Sequence, residues 1–161
     1  MSDLVIRDAV AADRAVITGF MAALQEVERA TEPNRRPGAE MAQGHYDHLL
    51  DWVSQHPAAA DLVAESGGHV AGWLLAGVEI DTGMLVPEAA RETGWISDIF
   101  VAPSHRGRGI ATALIAAAEA RFAAHGIRRV EIAAVVGNAR AIALYRRLGF
   151  APYELSLGKM L

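Results

Sequence analysis

The stretch "VAPSHRGRGIATAL" (residues 101–114) joins an apolar, strand-like run to a long alanine-rich helix pattern, in a chain that is 52% hydrophobic. The first backbone N–H groups of a helix have no partner inside the helix and lie at the positive end of its dipole. Gly107 and Gly109 leave such groups unshielded, and Arg106 and Arg108 add donors suited to phosphate oxygens. The stretch predicts a site for a phosphate or pyrophosphate. A glycine-rich helix start without a ligand is the plainer alternative.

Two common phosphate-binding motifs fail to match this turn. A P-loop requires Gly-Lys-Ser/Thr after its glycines, and that triplet is absent. A dinucleotide fingerprint needs a third glycine where "GRGIAT" has Thr112, and it expects an acid further on, where His125 and Gly126 stand. A nucleotide-binding enzyme that uses the turn for ATP or NAD phosphates stays open as an alternative.

Composition limits the class of protein. A chain of 161 residues suits one domain, so we expect a single domain over 1–161. No apolar run reaches the length of a membrane span, and "MSDLVIRD" lacks the apolar region of a secretory signal, so a cytoplasmic location is the default expectation. The net charge of -4 disfavours a general nucleic-acid surface.

The absence of cysteine excludes a thiol nucleophile and cysteine-bound zinc. His45 and His48 share a predicted helix face, but no third ligand is evident and no metal is expected.

Apolar periodicity predicts the element order β-α-α-β-β-β-α-β-α-β. Strands are expected at 3–9, 60–66, 69–80, 94–102 and 128–136, with one or two more within 150–161, and helices after Asp13, through 41–53, over about 107–125 and over 138–148. The cluster "TEPNRRPG" (31–38) predicts a loop. Strand–helix–strand alternation in the second half favours an α/β or α+β sheet covered by helices.

Two motifs in the correct order give a specific resemblance. "RGRGIA" (106–111) resembles the Q/R-x-x-G-x-G/A signature of the GNAT superfamily of acyl-CoA-dependent N-acetyltransferases. "VVGNARAIALYRRLGF" (135–150) resembles the second hallmark of that family, an asparagine followed by a tyrosine on a short helix and then Leu-Gly-Phe. Ala111 stands where glycine is commoner, an alternative that the signature allows. The element order also matches, so the resemblance covers nearly the full chain.

The resemblance implies a GNAT-like α/β (α+β) fold, with a mixed, mostly antiparallel sheet of six to seven strands flanked by about four helices. Acyl-CoA would lie in the splay between strands 4 and 5, with acetyl-CoA as cosubstrate. Its pantetheine arm would pair with backbone groups at the end of the fourth strand. Asn138 would contact the pantetheine, act as an ordinary helix N-cap, or do both. The implied CoA-binding residues are Ile99, Phe100, Val101, Arg106, Gly107, Arg108, Gly109, Ile110, Ala111, Thr112 and Asn138.

The resemblance also implies direct attack by a neutral amine on the thioester, with Tyr145 as the general acid that protonates the departing CoA thiolate. A core tyrosine with a satisfied hydroxyl is the alternative. The amine needs a base or a water relay to one. Asp98 is expected on one strand face with Ile96 and Phe100, where an unpartnered carboxylate is costly. Asp98 is therefore the candidate base or substrate anchor. A buried aspartate that only makes structural hydrogen bonds is an equal alternative.

Three acids crowd the end of the first helix and the loop after it: Glu26, Glu28 and Glu32. By resemblance this region covers the acceptor pocket, so one of them could hold a cationic amine, although such acids usually form a solvated face. The expected acceptor is a primary amine of a small molecule or peptide. No nucleic acid or membrane partner is expected, and a homodimer through the C-terminal strands is a further expectation. A non-catalytic acyl-CoA-binding sensor or regulatory module is the alternative function.

Overall fold

The computed structural model describes residues 4–32, 34–159 and 161. In this part of the chain there are five strands and four α-helices. The strands are β1 (Val5–Asp8), β2 (Ala60–Ser66), β3 (His69–Ile80), β4 (Glu92–Val101) and β5 (Val130–Ile132); the helices are α1 (Arg14–Arg29), α2 (Gly38–Val53), α3 (Ile110–Ala124) and α4 (Ala139–Arg147). The expected order of elements is confirmed from the first strand through the last helix.

The strands form one sheet in the order β1-β2-β3-β4-β5. The first three pairings are antiparallel, and β4 pairs with β5 in parallel, with α3 as the crossover between them. Gly67 and Gly68 both have positive φ, which suits the tight turn that joins β2 to β3. The expected mixed, mostly antiparallel sheet is therefore confirmed.

Each face of the sheet is covered by helices. On one face, α3 buries its apolar side chains against β2, β3 and β4. On the other, α1 and α2 pack against a cluster that includes the fully buried Trp73. Asp61 of β2 accepts hydrogen bonds from the Tyr46 hydroxyl and from Trp73 Nε1, each at 2.7 Å, which ties α2 to the sheet. The sheet thus lies between two helical layers, α3 on one face and α1 with α2 on the other.

A β-bulge interrupts the pairing of β3 with β4. Leu75 pairs with Asp98 and Ala76 with Ile96, so Ser97 has no counterpart on β3. An extra residue in one strand reverses the in–out alternation beyond it. The expectation that Asp98 shares a face with Ile96 is therefore wrong: Ile96 packs in the cluster under α3, whereas Asp98 faces α1 and α2.

The sheet has fewer strands than the six to seven expected. The segment 128–136 forms a strand only at Val130–Ile132, and residues 151–159 form none. An apolar alternation predicts extended backbone, but a strand also needs a neighbour that takes up its backbone hydrogen bonds. Leu155 and Leu157 are 73% and 86% exposed, so the C-terminal segment lies outside the core. The homodimer expected through these strands stays a prediction.

Parts of three expectations lie outside the described residues: Asp3 of the first strand, Pro33 of the loop at 31–38 and Met160 of the last strand. No α-helix in the described ranges is long and apolar enough to cross a membrane. The cytoplasmic location and the single-domain extent of the chain stay predictions.

Helices α1 and α2 cross closely at Gly38, the first residue of α2. A Cβ atom at this position would lie 2.3 Å from the backbone oxygen of Ala22 in α1. Glu26 of α1 accepts a hydrogen bond from the Gly38 backbone N–H at 2.6 Å. Gln25 donates to the Arg36 carbonyl at 2.9 Å. These contacts fix the loop between the two helices over the sheet.

We expect Gly38→Ala to lower the free energy of unfolding by about 1–3 kcal/mol, because a methyl group must push two backbones apart. Gly44→Ala, in the same helix, is the matched control. Gly44 has no atom within 4 Å of its Cβ position, so alanine should stabilise by about 0.5–1 kcal/mol through helix propensity. Urea unfolding of both variants measures the difference, and equal effects would contradict the close crossing.

Candidate active site

The edge of β4 that faces β5 is open over its second half. The parallel pairing covers only Gly94–Ile96, and no described strand pairs with β4 on that side beyond it. Ala102 N donates to Ala71 O on the β3 side at 2.9 Å. In an antiparallel ladder the direction of backbone groups alternates, so those of Ile99 and Val101 point to the open side. The splay between β4 and β5 therefore presents strand-like donors and acceptors.

The turn that follows β4 has the backbone that an anion site needs. Gly107 and Gly109 have φ values of 76° and 78°, in the left-handed region that glycine adopts readily. The first backbone bond of α3 runs from Ala113 N to Gly109 O at 3.0 Å. Among the described residues, no acceptor takes the N–H groups of 107–112. A Cβ atom at either glycine would meet nothing within 4 Å, so the space above these N–H groups is open.

Arg106 connects the turn to the open edge. Its Nε donates to the Val101 carbonyl at 3.0 Å, and its guanidinium lies 5.5 Å from the centre of the Phe100 ring. Arg108 is exposed beside it. Two guanidinium groups and a row of free N–H groups suit the two phosphates of a pyrophosphate. The residues present therefore fit the group that the turn predicts.

Helix α4 places Tyr145 beside the splay. Asn138 begins this helix, and its Oδ1 accepts a hydrogen bond from Ala141 N at 3.2 Å, as an N-cap does. Tyr145 packs against the same apolar cluster as Ile99 and Val101, and within the described ranges its hydroxyl has no hydrogen-bond partner. Burial, followed by the negative charge of Glu28, raises the pKa of Tyr145 to about 12. The phenol thus keeps its proton at neutral pH and is free to donate it.

A cavity of about 180 Å³ lies on the other face of the sheet, between α1, α2, the loop that joins them and β4. It is lined by Met21, Leu24, Gln25, Glu28, Arg35, Met41, His45 and Asp98. The fold brings together two of the acids singled out in the sequence, Asp98 and Glu28.

Asp98 reaches the cavity because of the bulge at Ser97. The Ser97 hydroxyl donates to Asp98 Oδ2 at 2.7 Å. Burial raises the pKa of Asp98 above its ordinary value, and the Ser97 hydrogen bond and the charges of His45 and Arg35 offset part of that rise. A carboxylate that is partly buried and has one hydrogen-bond donor among the described residues gains from an ammonium group placed against it.

Glu28 interacts electrostatically with both Asp98 and Tyr145. Arg35 Nη1 contacts Glu28 Oε2 at 2.6 Å. Burial raises the pKa of Glu28, the charge of Arg35 lowers it, and the charge of Asp98 raises it. Because Glu28 feels Asp98 and Tyr145 feels Glu28, the three groups form one electrostatic cluster.

The other two glutamates do not line the cavity. Glu26 is exposed and accepts a hydrogen bond from the Gly38 N–H, while its other oxygen accepts one from Arg29 Nη1 at 2.8 Å. The pKa of Glu26 lies below its ordinary value, mainly because of the Gly38 hydrogen bond. Glu32 is exposed in the loop after α1. Glu26 therefore shapes the α1–α2 junction.

Sequence reasoning missed three polar residues of the cavity: Gln25, Arg35 and His45. His45 was considered only with His48, and helical spacing alone could not distinguish its cavity-facing position from the exposed position of His48. No group of three metal-binding side chains occurs among the residues that the structure describes.

A larger cavity of about 310 Å³ lies at the opposite end of β3 and β4, among Arg91, Arg129 and Tyr153. None of the residues singled out in the sequence lines it. Thr93, near the start of β4, lines this cavity, whereas Asp98 and the turn lie toward the other end of the strand, so the smaller cavity is the candidate acceptor site.

Comparison with known proteins identifies related chains. The model of the Acetyltransferase (GNAT) family matches residues 21–150. An uncharacterized N-acetyltransferase of Methanocaldococcus jannaschii is 36% identical over 107 residues, which is 66% of this chain and 46% of that relative. The chain thus spans about half the length of that curated relative.

Solved structures share the fold over almost the whole chain. A GCN5-related N-acetyltransferase from Ralstonia eutropha JMP134 superposes with a TM-score of 0.75 and 25% identity, covering 98% of each chain. The aminoglycoside N-acetyltransferase AAC(6')-Iy, solved in complex with CoA, has a TM-score of 0.70 and 22% identity, covering 100% of this chain and 96% of its own.

We expect Asp98→Asn to be more stable than the natural protein at pH 7.5. A carboxyl whose native pKa lies above its unfolded value binds more protons in the native state, so its ionisation costs stability as pH rises through that window. The increase in the free energy of unfolding should therefore shrink as pH falls toward about 4, near the ordinary pKa of aspartate. Denaturant titrations at several pH values measure it, with the exposed Glu32→Gln as control. A loss of stability at pH 7.5, or a gain that is independent of pH, would contradict the costly burial of Asp98.

Proposed function

The chain belongs to the GNAT family of acetyltransferases, and on that premise we propose that it transfers an acetyl group from acetyl-CoA to a primary amine of a small molecule or peptide. One observation carries the proposal. The open edge of β4 leads directly into a turn with free N–H groups, while Asp98 lines a cavity on the other side of the same strand. A donor site and an acceptor site therefore meet at one strand segment.

The donor would be held mainly by backbone groups. The N–H groups of Gly107–Thr112 would bind the pyrophosphate, with Arg106 and Arg108 beside it. The pantetheine arm would add to β4 as a strand does, using the backbone of Ile99 and the N–H of Val101, because β5 leaves that edge free. The Val101 carbonyl already accepts from Arg106. AAC(6')-Iy, which shares the fold, was solved in complex with CoA, and this supports CoA as the carrier of the acetyl group.

The acceptor would bind on the Asp98 side as an ammonium ion. An alkyl amine is mostly protonated at neutral pH, so its proton must leave before it attacks. Asp98, directly or through a water, would take that proton, and its raised pKa makes it a stronger base than an exposed aspartate. The amine nitrogen then bonds to the thioester carbonyl carbon as the carbon–sulfur bond breaks. The nitrogen then loses its second proton, which replaces, through water, the one that Tyr145 gives to the sulfur. The products are an N-acetylated amine and a free thiol.

Tyr145 would supply the proton that the leaving sulfur needs. Its hydroxyl has no competing protein partner among the described residues. A phenol with a pKa near 12 is a weaker acid than an ordinary thiol in water, but the same burial raises the pKa of a thiol beside it. A hydrogen bond from Tyr145 to the developing thiolate then stabilises the transition state, and the proton follows.

We expect Gly109→Ala to weaken CoA binding at least about tenfold, because a left-handed alanine either strains the turn or turns its N–H groups away. Gly126→Ala is the matched control at the other end of α3. Gly126 has φ 80° and no atom within 4 Å of its Cβ position, so both variants should lose similar stability, about 1–2 kcal/mol. Isothermal titration with CoA measures the affinities. Equal affinity in the two variants would count against backbone capture of the pyrophosphate.

We expect Tyr145→Phe to lower kcat about a hundredfold or more, with little change in the KM for acetyl-CoA, because only the proton donor is removed. Tyr153→Phe is the control, since Tyr153 is 71% exposed and stacks on Arg129. Release of CoA thiol with an active amine measures both variants. An unchanged kcat would exclude Tyr145 as the acid, and CoA binding without acetylation of any amine would favour the acyl-CoA sensor.

A further inference from the structure

Arg35 is fixed across the acceptor cavity by its neighbours. Its Nη1 contacts Glu28 Oε2 at 2.6 Å and Gln25 Oε1 at 3.3 Å. Its backbone carbonyl accepts a hydrogen bond from Arg29 Nε at 3.1 Å. The side chain is 40% exposed and that of Glu28 is 25% exposed, so the pair is partly shielded from water. The α1–α2 loop thus places a positive charge at the wall of the cavity.

The cavity holds two carboxylates and one guanidinium. Glu28 is compensated by Arg35, whereas Asp98 has only the Ser97 hydroxyl within hydrogen-bond distance among the described side chains. The imidazole of His45 also lines the cavity. Apart from His45, the one basic residue that lines the cavity is Arg35, and it contacts Glu28 rather than Asp98. One ammonium group therefore balances the site.

Apart from Gln25 and His45, the remaining lining residues are apolar, and the space is small. Met21, Leu24 and Met41 line it, and methionine side chains adapt to ligand bodies of different shape. Its volume of about 180 Å³ lies below the roughly 300–1,000 Å³ typical of pockets for drug-sized molecules. The cavity suits a short hydrocarbon body better than a multi-ring sugar.

We propose that Arg35 makes this an acceptor site for compact monoamines with an apolar body and that it rejects acceptors with a second ammonium group. The inference rests on the proposed acetyl transfer. A second cation in the cavity would lie near the Arg35 guanidinium, while Glu28 is already paired. Like charges in a partly desolvated site repel strongly, which is how a binding site excludes a competing ligand. A polyamine or an aminoglycoside would have to displace Arg35 from Glu28.

The test compares two amines with the same five-carbon chain, n-pentylamine and 1,5-diaminopentane, which differ by a hydrogen atom or an ammonium group on the fifth carbon. At saturating acetyl-CoA, kcat/KM is measured from CoA thiol release and corrected for the two equivalent amines of the diamine. We expect the natural protein to prefer the monoamine at least about tenfold, which corresponds to roughly 1.4 kcal/mol. Arg35→Gln should abolish or reverse that preference, because it leaves Glu28 free for the second ammonium.

Two further variants complete a charge cycle. Glu28→Gln leaves Arg35 unpaired and should raise the preference for the monoamine above that of the natural protein. The double variant Arg35→Gln/Glu28→Gln restores one uncompensated carboxylate and should return the preference toward the natural value. The readout is the ratio of the kcat/KM values for the two amines, so a general loss of turnover in any variant does not mimic the result.

A binding measurement separates this inference from the proposed function. Calorimetric titration of each amine into the CoA-loaded protein gives the preference without chemistry. Tighter binding of n-pentylamine with no acetylation of either amine would overturn the proposed function and support the inference. Acetylation with equal or greater efficiency for 1,5-diaminopentane, or a ratio unchanged by Arg35→Gln, would overturn the inference and keep the function. If neither amine binds and neither reacts, the inference is overturned as well.

Discussion

Strand β4 loses its neighbour on one side after Ile96, and the candidate site is arranged around that loss. β5 is only three residues long, so its ladder ends where the backbone of β4 still runs on to Val101. Buried backbone groups require partners, and an open strand edge inside a fold is a template for an extended ligand. The turn at 106–112 lies at the end of this edge. Its left-handed glycines and its N–H groups, which have no acceptor among the described residues, continue the row of donors into open space.

The bulge at Ser97 turns Asp98, on the same strand as the open edge, into the candidate acceptor cavity. Without the extra residue, the alternation of β4 would place Asp98 on the α3 face with Ile96. With it, the carboxylate enters the cavity formed by α1 and α2, while the backbone of Ile99, the next residue, points into the splay. A donor bound at the edge and an amine bound at Asp98 would therefore approach each other across one peptide unit. Tyr145 reaches this region from α4, and Glu28 couples to it from α1.

Local patterns in the sequence predicted most of the elements, because helix periodicity, glycine positions and the N-cap at Asn138 are properties of short segments. They did not predict the bulge, since register depends on how β3 and β4 pair across the sheet. They overestimated the strands, because extended segments such as 151–159 become strands only beside a partner. Glu26 and Glu28 looked equivalent in the sequence. The crossing of α1 and α2 separates them, turning Glu26 toward Gly38 and Glu28 toward Arg35.

The central claim, that the turn and the open edge of β4 together hold CoA, is tested most directly by amide chemical shifts of ¹⁵N-labelled protein during titration with CoA. The largest changes are expected at the N–H groups of Gly107–Thr112 and at Ile99 and Val101, with Gly126 at the far end of α3 unmoved. Saturable binding whose shifts lie instead around the cavity at Arg91 and Arg129, with the turn unchanged, would contradict the claim.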